Sequence, residues 1–409
     1  MKATKRYSST ILAGLLWFTG VTMAHGAVNV QCDPDGNMND NPNIKCMHLV
    51  AGDGFATMAD GEIKYIFGFA DVTEMATSTQ EEKNRVIATG ILANQWPAPS
   101  IVLEEGQEFY LSLTNVGMLI RPDLFDPHTV HFHGYPQSST VFDGLPESGI
   151  AINMGSTLTY YYKLHDPGTY MYHCHVEATE HMQMGMLGSL YVKPAQNNGP
   201  PITHNGRAYS QFAYNDGDGS TGYDVDYPIQ LGSFDGAFHD ASESVQPLPF
   251  ALMVDNYPMI NGRGYPDTAD PRTYDFPPTE GSSANPVNNP DLEKLQTSQP
   301  VSTRIVANRG ERILLRISNL AITRYYTLQS SGIKMKVVGR DAKLLRAPNG
   351  NDLYYDANSI TLGGGESADV ILDTADINPG TYVLYTSNLN YLSNNDDQFG
   401  GMMTEIIIN

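Results

Sequence analysis

Apolar and polar residues alternate along much of this chain with the period of two that marks half-buried strands. Two of the alternating runs are near copies. Gly106-Gln-Glu-Phe-Tyr-Leu-Ser-Leu-Thr-Asn115 parallels Gly310-Glu-Arg-Ile-Leu-Leu-Arg-Ile-Ser-Asn319. Further on, Pro167-Gly-Thr-Tyr170 parallels Pro379-Gly-Thr-Tyr382, each predicting a strand that opens after a turn. Gly185-Met186 and Gly401-Met402 each precede a last apolar strand, Leu190-Tyr-Val and Ile406-Ile-Ile. The pattern predicts two all-β units with one strand order. Pro194 to Pro201, rich in Pro, Asn and Gly, reads as the linker between them, and Pro277 to Pro300 as a surface loop in the second unit.

A chain of 409 residues is long for one sandwich and comfortable for two. Its 38 Gly, 25 Pro and 24 Tyr suit many short strands joined by turns. One apolar run breaks the pattern. Ile11 to Met23 follows Lys2, Lys5 and Arg6 and precedes the small residues Ala24, Gly26 and Ala27, the layout of a secretory signal. Residues 1–27 are therefore expected to be removed on export to the periplasm or cell exterior, leaving units over 28–196 and 197–409. No internal stretch stays apolar for the roughly 18 residues a membrane span needs. Loss of those three cations takes the formal charge from −21 to −24. Such a surface argues against nucleic acid as a partner and favours cations, either metal ions or a basic redox protein, though solubility alone explains it as well.

Cys32 and Cys46 flank the polar stretch Asp33 to Lys45, which holds no histidine, and export makes a disulfide between them expected. The third cysteine is different. Seven of the eleven histidines lie between 128 and 181, and six of them fall in two pieces. The first is His128-Thr-Val-His131-Phe-His133-Gly134. The second is Tyr172-His173-Cys174-His175 with His181 and then Met186. A Cys thiolate, two imidazoles and a weakly bound Met sulfur are the ligand set of a blue-copper centre. In an extended segment His173 and His175 point one way and Cys174 the other, so Cys174 can serve one metal and its neighbours another. His131 and His133 likewise share a face, which leaves His128 free to turn toward Cys174. His181 and Met186, five apart on the loop after Cys174, can wrap one ion. Met182 and Met184 read as packing or loop residues and His165 as a turn residue. His48, His204 and His239 have no partners in sequence. In the second unit Tyr385, Thr386 and Ser387 stand at the positions of His173, Cys174 and His175, and Thr327 and Gln329 at those of His131 and His133. That unit cannot build the same site, and its role is expected to be packing, oligomer contacts or shaping a substrate surface.

These motifs are joined by Gln95-Trp-Pro-Ala-Pro-Ser-Ile101, Phe142-Asp-Gly-Leu-Pro146, Ile260-Asn-Gly-Arg263, Gly339-Arg-Asp-Ala342, Gly365-Glu-Ser-Ala-Asp369 and Gly400-Gly-Met-Met403. Together they make residues 60–409 resemble the multicopper oxidases, specifically small two-domain, laccase-like members with type 1 copper in the first domain. The resemblance implies tandem cupredoxin-like Greek-key β-barrels. It implies His128, Cys174, His181 and Met186 as type 1 copper ligands, His131 as a type 2 ligand, and His133, His173 and His175 as type 3 ligands. It also implies one-electron oxidation of a small reductant such as a phenol, or of a low-valent metal ion, with dioxygen reduced at the histidine-bound cluster. Asp143 stands where the family places an acid that helps move protons to oxygen; by its own sequence it is equally a turn residue before Gly144. The stretch from Cys174 to His181 is longer than in common laccases and closer to copper nitrite reductases. The family's full cluster takes eight histidines and this chain offers four. The implied enzyme is a homo-oligomer in which two first domains pool their histidines about a two-fold axis. Two other readings stay open: a mononuclear blue-copper electron carrier or copper-handling protein, and a nitrite-reductase-like enzyme with copper on His133 and His173. The last asks for an Asp where His131 stands and a neighbour's His.

Overall fold

The structure, a computed structural model, describes residues 41–75, 77, 79–136, 139–277 and 297–409. The expected signal segment and Cys32 lie outside the described residues; Cys46 lies on the first strand. Eight strands build the first half: β1 (Ile44–Thr57), β2 (Ile63–Asp71), β3 (Ala98–Glu104), β4 (Glu108–Gly117), β5 (His131–His133), β6 (Thr157–Lys163), β7 (Gly168–His173) and β8 (Leu187–Lys193). They form two four-stranded sheets, ordered β2-β1-β4-β6 and β3-β8-β7-β5. The alternation along β4 buries Phe109, Leu111 and Leu113 between them, beside Phe132 and Tyr162, whose rings stack 4.0 Å apart.

The second half repeats this plan. Strand Arg312–Asn319 lies between Val225–Phe234, to which it is parallel, and Ser367–Asp373, to which it is antiparallel; β4 lies in the same way between β1 and β6. Met403–Ile408 runs antiparallel to Gly380–Thr386 and parallel to Ile305–Ala307, as β8 does to β7 and β3. The duplication read from the alternating runs thus extends to strand order and sense, and the fold is two tandem cupredoxin-like sandwiches. Ile313, Leu315, Val370 and Leu384 belong to the second core.

Two expectations need correction. Across the ladders His131 faces His173 while Gln329 faces Tyr385, so Gln329 and not Thr327 stands in the place of His131. The second sandwich still has no histidine there. Within the expected loop Pro277 to Pro300, residues 278–296 lie outside the described residues, but Thr297–Gln299 is a strand paired with Tyr274–Asp275. It is held because Ser298 is buried and its carbonyl accepts the Trp96 N–H at 2.8 Å. Among the described residues no helix is long and apolar enough to cross a membrane.

The halves meet on a broad face. Trp96, Met171 and Leu187 of the first pack with Phe234, Tyr257, Met259 and Leu320 of the second. Each such side chain contributes about 1.5–3 kcal/mol when fully buried. A polar group locks the same seam. The buried carboxylate of Asp369 accepts hydrogen bonds from Thr169 Oγ1 and Tyr214 Oη, both at 2.5 Å, and lies 3.9 Å from Arg316 Nη1. The Arg316 guanidinium sits 4.6 Å over the Tyr191 ring of β8. Asp369→Ala should therefore cost about 3 kcal/mol, because it strips a buried cation of one carboxylate and leaves two hydroxyls unpaired. Urea unfolding measures this, and a loss below about 1 kcal/mol would contradict the role of the seam.

Candidate metal centres

The chain leaves the sheet where β7 ends at His173, and there Cys174 turns into the core. Cys174, His128 and His181 are all fully buried. Cys174 Sγ lies 3.3 Å from His181 Nδ1 and 4.0 Å from His128 Nδ1, and the Thr129 N–H donates to the sulfur at 3.4 Å. His181 does not stand on a loop, as its spacing suggested, but on a short helix, Ala178–Met184. The helix starts after Glu177 in the left-handed region (φ 43°) and stops at Gly185 (φ 125°), a residue free of the Cβ that makes such a turn costly. That turn brings the chain back, so the Met186 N–H donates to the His181 carbonyl at 2.8 Å and the Met186 carbonyl accepts the Cys174 N–H at 3.0 Å. Met186 itself is fully buried.

A second group lies on the other side of the Cys174 backbone. His131, His133 and His173 bring ring nitrogens within 4.8 Å of one another, with His133 Nδ1 and His173 Nε2 3.2 Å apart. The His175 ring is 5.3 Å from that of His131 and 5.7 Å from that of His173. Backbone contacts fix which nitrogens face inward. His131 Nδ1 lies 2.7 Å from the Asp143 carbonyl and 3.2 Å from its carboxylate, and His173 Nδ1 lies 2.8 Å from the Cys174 carbonyl. Each ring is left with Nε2 toward its neighbours. The second half closes one flank: a Cβ placed on Gly365 would come within 2.7 Å of His133 Nε2.

Residues 71–197 and 239–409 match two family models, each described as Multicopper oxidase. The chain belongs to the multicopper oxidase family. It is similar to Laccase-5 of Arabidopsis thaliana, 25% identical over 331 residues, which cover 80% of this chain and 45% of that protein. It is also similar to an L-ascorbate oxidase of Cucurbita pepo var. melopepo, 33% identical over 129 residues, 30% of this chain and 21% of the other. The chain spans less than half the length of these relatives. Among solved structures its fold resembles a blue copper oxidase from Nitrosomonas europaea, with a TM-score of 0.61 at 22% identity over 89% of this chain and 86% of the other.

Copper is the metal of multicopper oxidases, and the donors present fit it. Soft sulfur with imidazole suits copper, and the all-imidazole group suits it too. Cys174 Sγ faces the Nδ1 atoms of both His128 and His181, a set of donors that one ion can share. Sulfur and ring act on each other's charge. Burial would raise the Cys174 thiol, but His181 beside it pulls its pKa below the ordinary value. Burial would lower His181, but the sulfur and Asp126 outweigh it and raise the ring to about 10. Burial, aided by its neighbour His181, holds His128 well below its ordinary range.

Three contributors carry no mark in the sequence. Thr129 serves both groups, its N–H on the Cys174 sulfur and its hydroxyl accepting the His175 N–H at 3.1 Å. The Asp126 carboxylate lies 3.8 Å from His181 Nε2. His239, partnerless in sequence, is buried against the helix that carries His181.

Burial lowers His173 to about 3 and His48, away from the metal groups, to about 4. Both folded values lie below the ordinary 6.5, so the unfolded chain takes up protons there first. The stability these neutral rings provide is complete above pH 6.5 and is lost as the pH falls toward 3–4. In copper-free protein their ring resonances should not move between pH 7 and 5, and a titration near 6.5 would contradict it.

Proposed function

We propose that this multicopper oxidase accepts electrons one at a time at a type 1 copper held by His128, Cys174, His181 and Met186. It passes them to dioxygen at a cluster that uses His131 as the type 2 ligand and His133, His173 and His175 as type 3 ligands. The observation that carries this is the junction at His173. Its Nδ1 is bonded to the Cys174 carbonyl, and its Nε2 faces His133 Nδ1. One short stretch of chain therefore joins the thiolate group to the histidine group.

Copper bound at these positions supplies the one-electron steps and the site at which dioxygen is reduced. The protein's own groups do the rest. Thr129 places an N–H dipole on the sulfur. Asp143 holds His131 by both its carbonyl and its carboxylate, which stands beside the cluster as a group able to take and return a proton. Asp126, next to the buried edge of His181, and the exposed Glu177 give the electron entry point an acidic rim. That rim favours cationic donors, a low-valent metal ion or a basic redox protein, over a neutral phenol.

One chain presents four cluster histidines. His131 keeps 16% of its side chain exposed, and His133 and His175 are also half-buried, so the group has an open side. The second half brings Gly365 to His133 and no imidazole. The missing ligands therefore come from the first domain of a second copy, in a homo-oligomer exported to the periplasm or cell exterior. A nitrite-reductase-like site is disfavoured, since His131 stands where that chemistry asks for an Asp and His239 is buried away from the cluster.

Copper per chain in metal-loaded protein tests the pairing. About 2.5 per chain, one type 1 ion and half of a three-ion cluster, is expected together with oxygen consumption. About 1 per chain, with blue colour and no oxygen uptake, would make the protein an electron carrier or copper handler instead. Cys174→Ser should abolish the blue colour, whereas His131→Ala should keep it and lose oxygen reduction; a blue Cys174→Ser protein would refute the type 1 assignment.

A further inference from the structure

His239 belongs to the copper-free half, on the short helix Gly236–Ser242 that follows Val225–Phe234. It is fully buried, and it lies between two elements of the first half. Its Nδ1 is 2.6 Å from the Tyr65 carbonyl of β2, and its Nε2 is 2.9 Å from the Gln183 carbonyl of the helix that carries His181. Carbonyl oxygens only accept. A neutral imidazole has one N–H and one lone pair, so it can satisfy one of these contacts and must set lone pair against lone pair at the other. Only a ring with two N–H groups satisfies both.

The surroundings suit that form. The Phe234 ring is 4.0 Å from the imidazole at a 35° tilt, and the Trp96 ring stands edge-on at 6.4 Å. Of the two, Phe234 offers its ring face to a cation. Asp240 on the same helix adds negative charge, and Lys64 of β2, itself bonded to Asp240 at 2.8 Å, opposes it. Burial works against the charged form and outweighs the two carbonyl bonds that work for it, drawing the ring to about 4. The contact distances point the other way, because a neutral ring would set its lone pair against a carbonyl oxygen no more than 2.9 Å away.

Gln183 lies between His181 and Met186, on the helix and turn that set both. The same segment of the second half grips that helix again, since Gln246 Nε2 donates to Glu180 Oε1 at 3.0 Å. It also holds the first half at Arg121, whose Nη1 donates to the Ser242 carbonyl at 2.6 Å. We infer that His239 is a positioning residue for the type 1 centre, a buried double N–H donor by which the copper-free domain fixes the helix and turn carrying His181 and Met186. It rests on the type 1 site proposed above, and it assigns the second domain a role at that site without a ligand.

The first test needs no metal. In copper-free protein selectively labelled with nitrogen-15 at histidine, both His239 ring nitrogens should carry a proton at pH 7. One protonated and one bare nitrogen would overturn the double donor, whatever the metal does. The second test uses His239→Phe, which keeps an aromatic ring and removes both donors, and His239→Gln, which keeps one. In His239→Phe the blue absorption band should shift and type 1 copper affinity, measured by chelator competition, should fall about 10- to 100-fold. His239→Gln should recover part of both, and copper at the histidine cluster should be unchanged. An unshifted band with wild-type affinity in a folded His239→Phe protein would overturn the positioning role. Failure of the type 1 assignment itself reads differently, as a wild-type protein with no blue band to shift.

Discussion

Cys174 is buried to zero exposure with two imidazole nitrogens turned onto its sulfur, and a thiolate there is stable only with a positive charge beside it. Everything around Cys174 follows from that constraint. Sulfur and ring favour each other's charged form, which is why the His181 ring is raised while the thiol beside it is lowered. His128, Cys174 and His181 would hold a metal ion at the same point, since their donor atoms lie within 4.8 Å of one another. The backbone is arranged to the same end: the Thr129 N–H faces the sulfur, and the Met186 carbonyl holds the Cys174 N–H. The same peptide that anchors the sulfur presents its carbonyl to His173. The geometry of the first group therefore propagates to the second through one residue.

Much of this was legible in the sequence because the chemistry depends on local spacing. Strand alternation at His173, Cys174 and His175 separates two sets of ligands on any chain that is extended there, and His131 and His133 share a face for the same reason. The duplication was legible because both halves preserve the alternating run and the Pro-Gly-Thr-Tyr turn. What escaped has a common cause. The helix Ala178–Met184 is short, with no side-chain cap from Glu177, so neither periodicity nor capping announces it. His239 bonds to two carbonyls, and a backbone acceptor leaves no residue type to recognise. Asp126 is five residues before His131 and 55 before His181, a distance at which only the fold brings it to the ring. The strand Thr297–Gln299 hides in a stretch of polar composition because its burial comes from Trp96 of the other half.

The second domain, stripped of metal ligands, remains tied to the site through its sheet face. In Gly365-Glu-Ser-Ala-Asp369 the turn residue Gly365 and the strand residues Ser367 and Asp369, which share a face by alternation, all act on the first half. Gly365 lets the backbone approach His133. Ser367 Oγ donates to the Thr169 carbonyl at 2.7 Å, and Asp369 takes the Thr169 hydroxyl. Thr169 lies on β7, the strand that ends at His173. A displacement of this face would thus be felt at the last residue before Cys174. That gives the motif a role in the second domain: it registers β7 against the second sheet. The cluster then gains a defined flank on one side and stays open on the other, where a second copy of the chain can complete it.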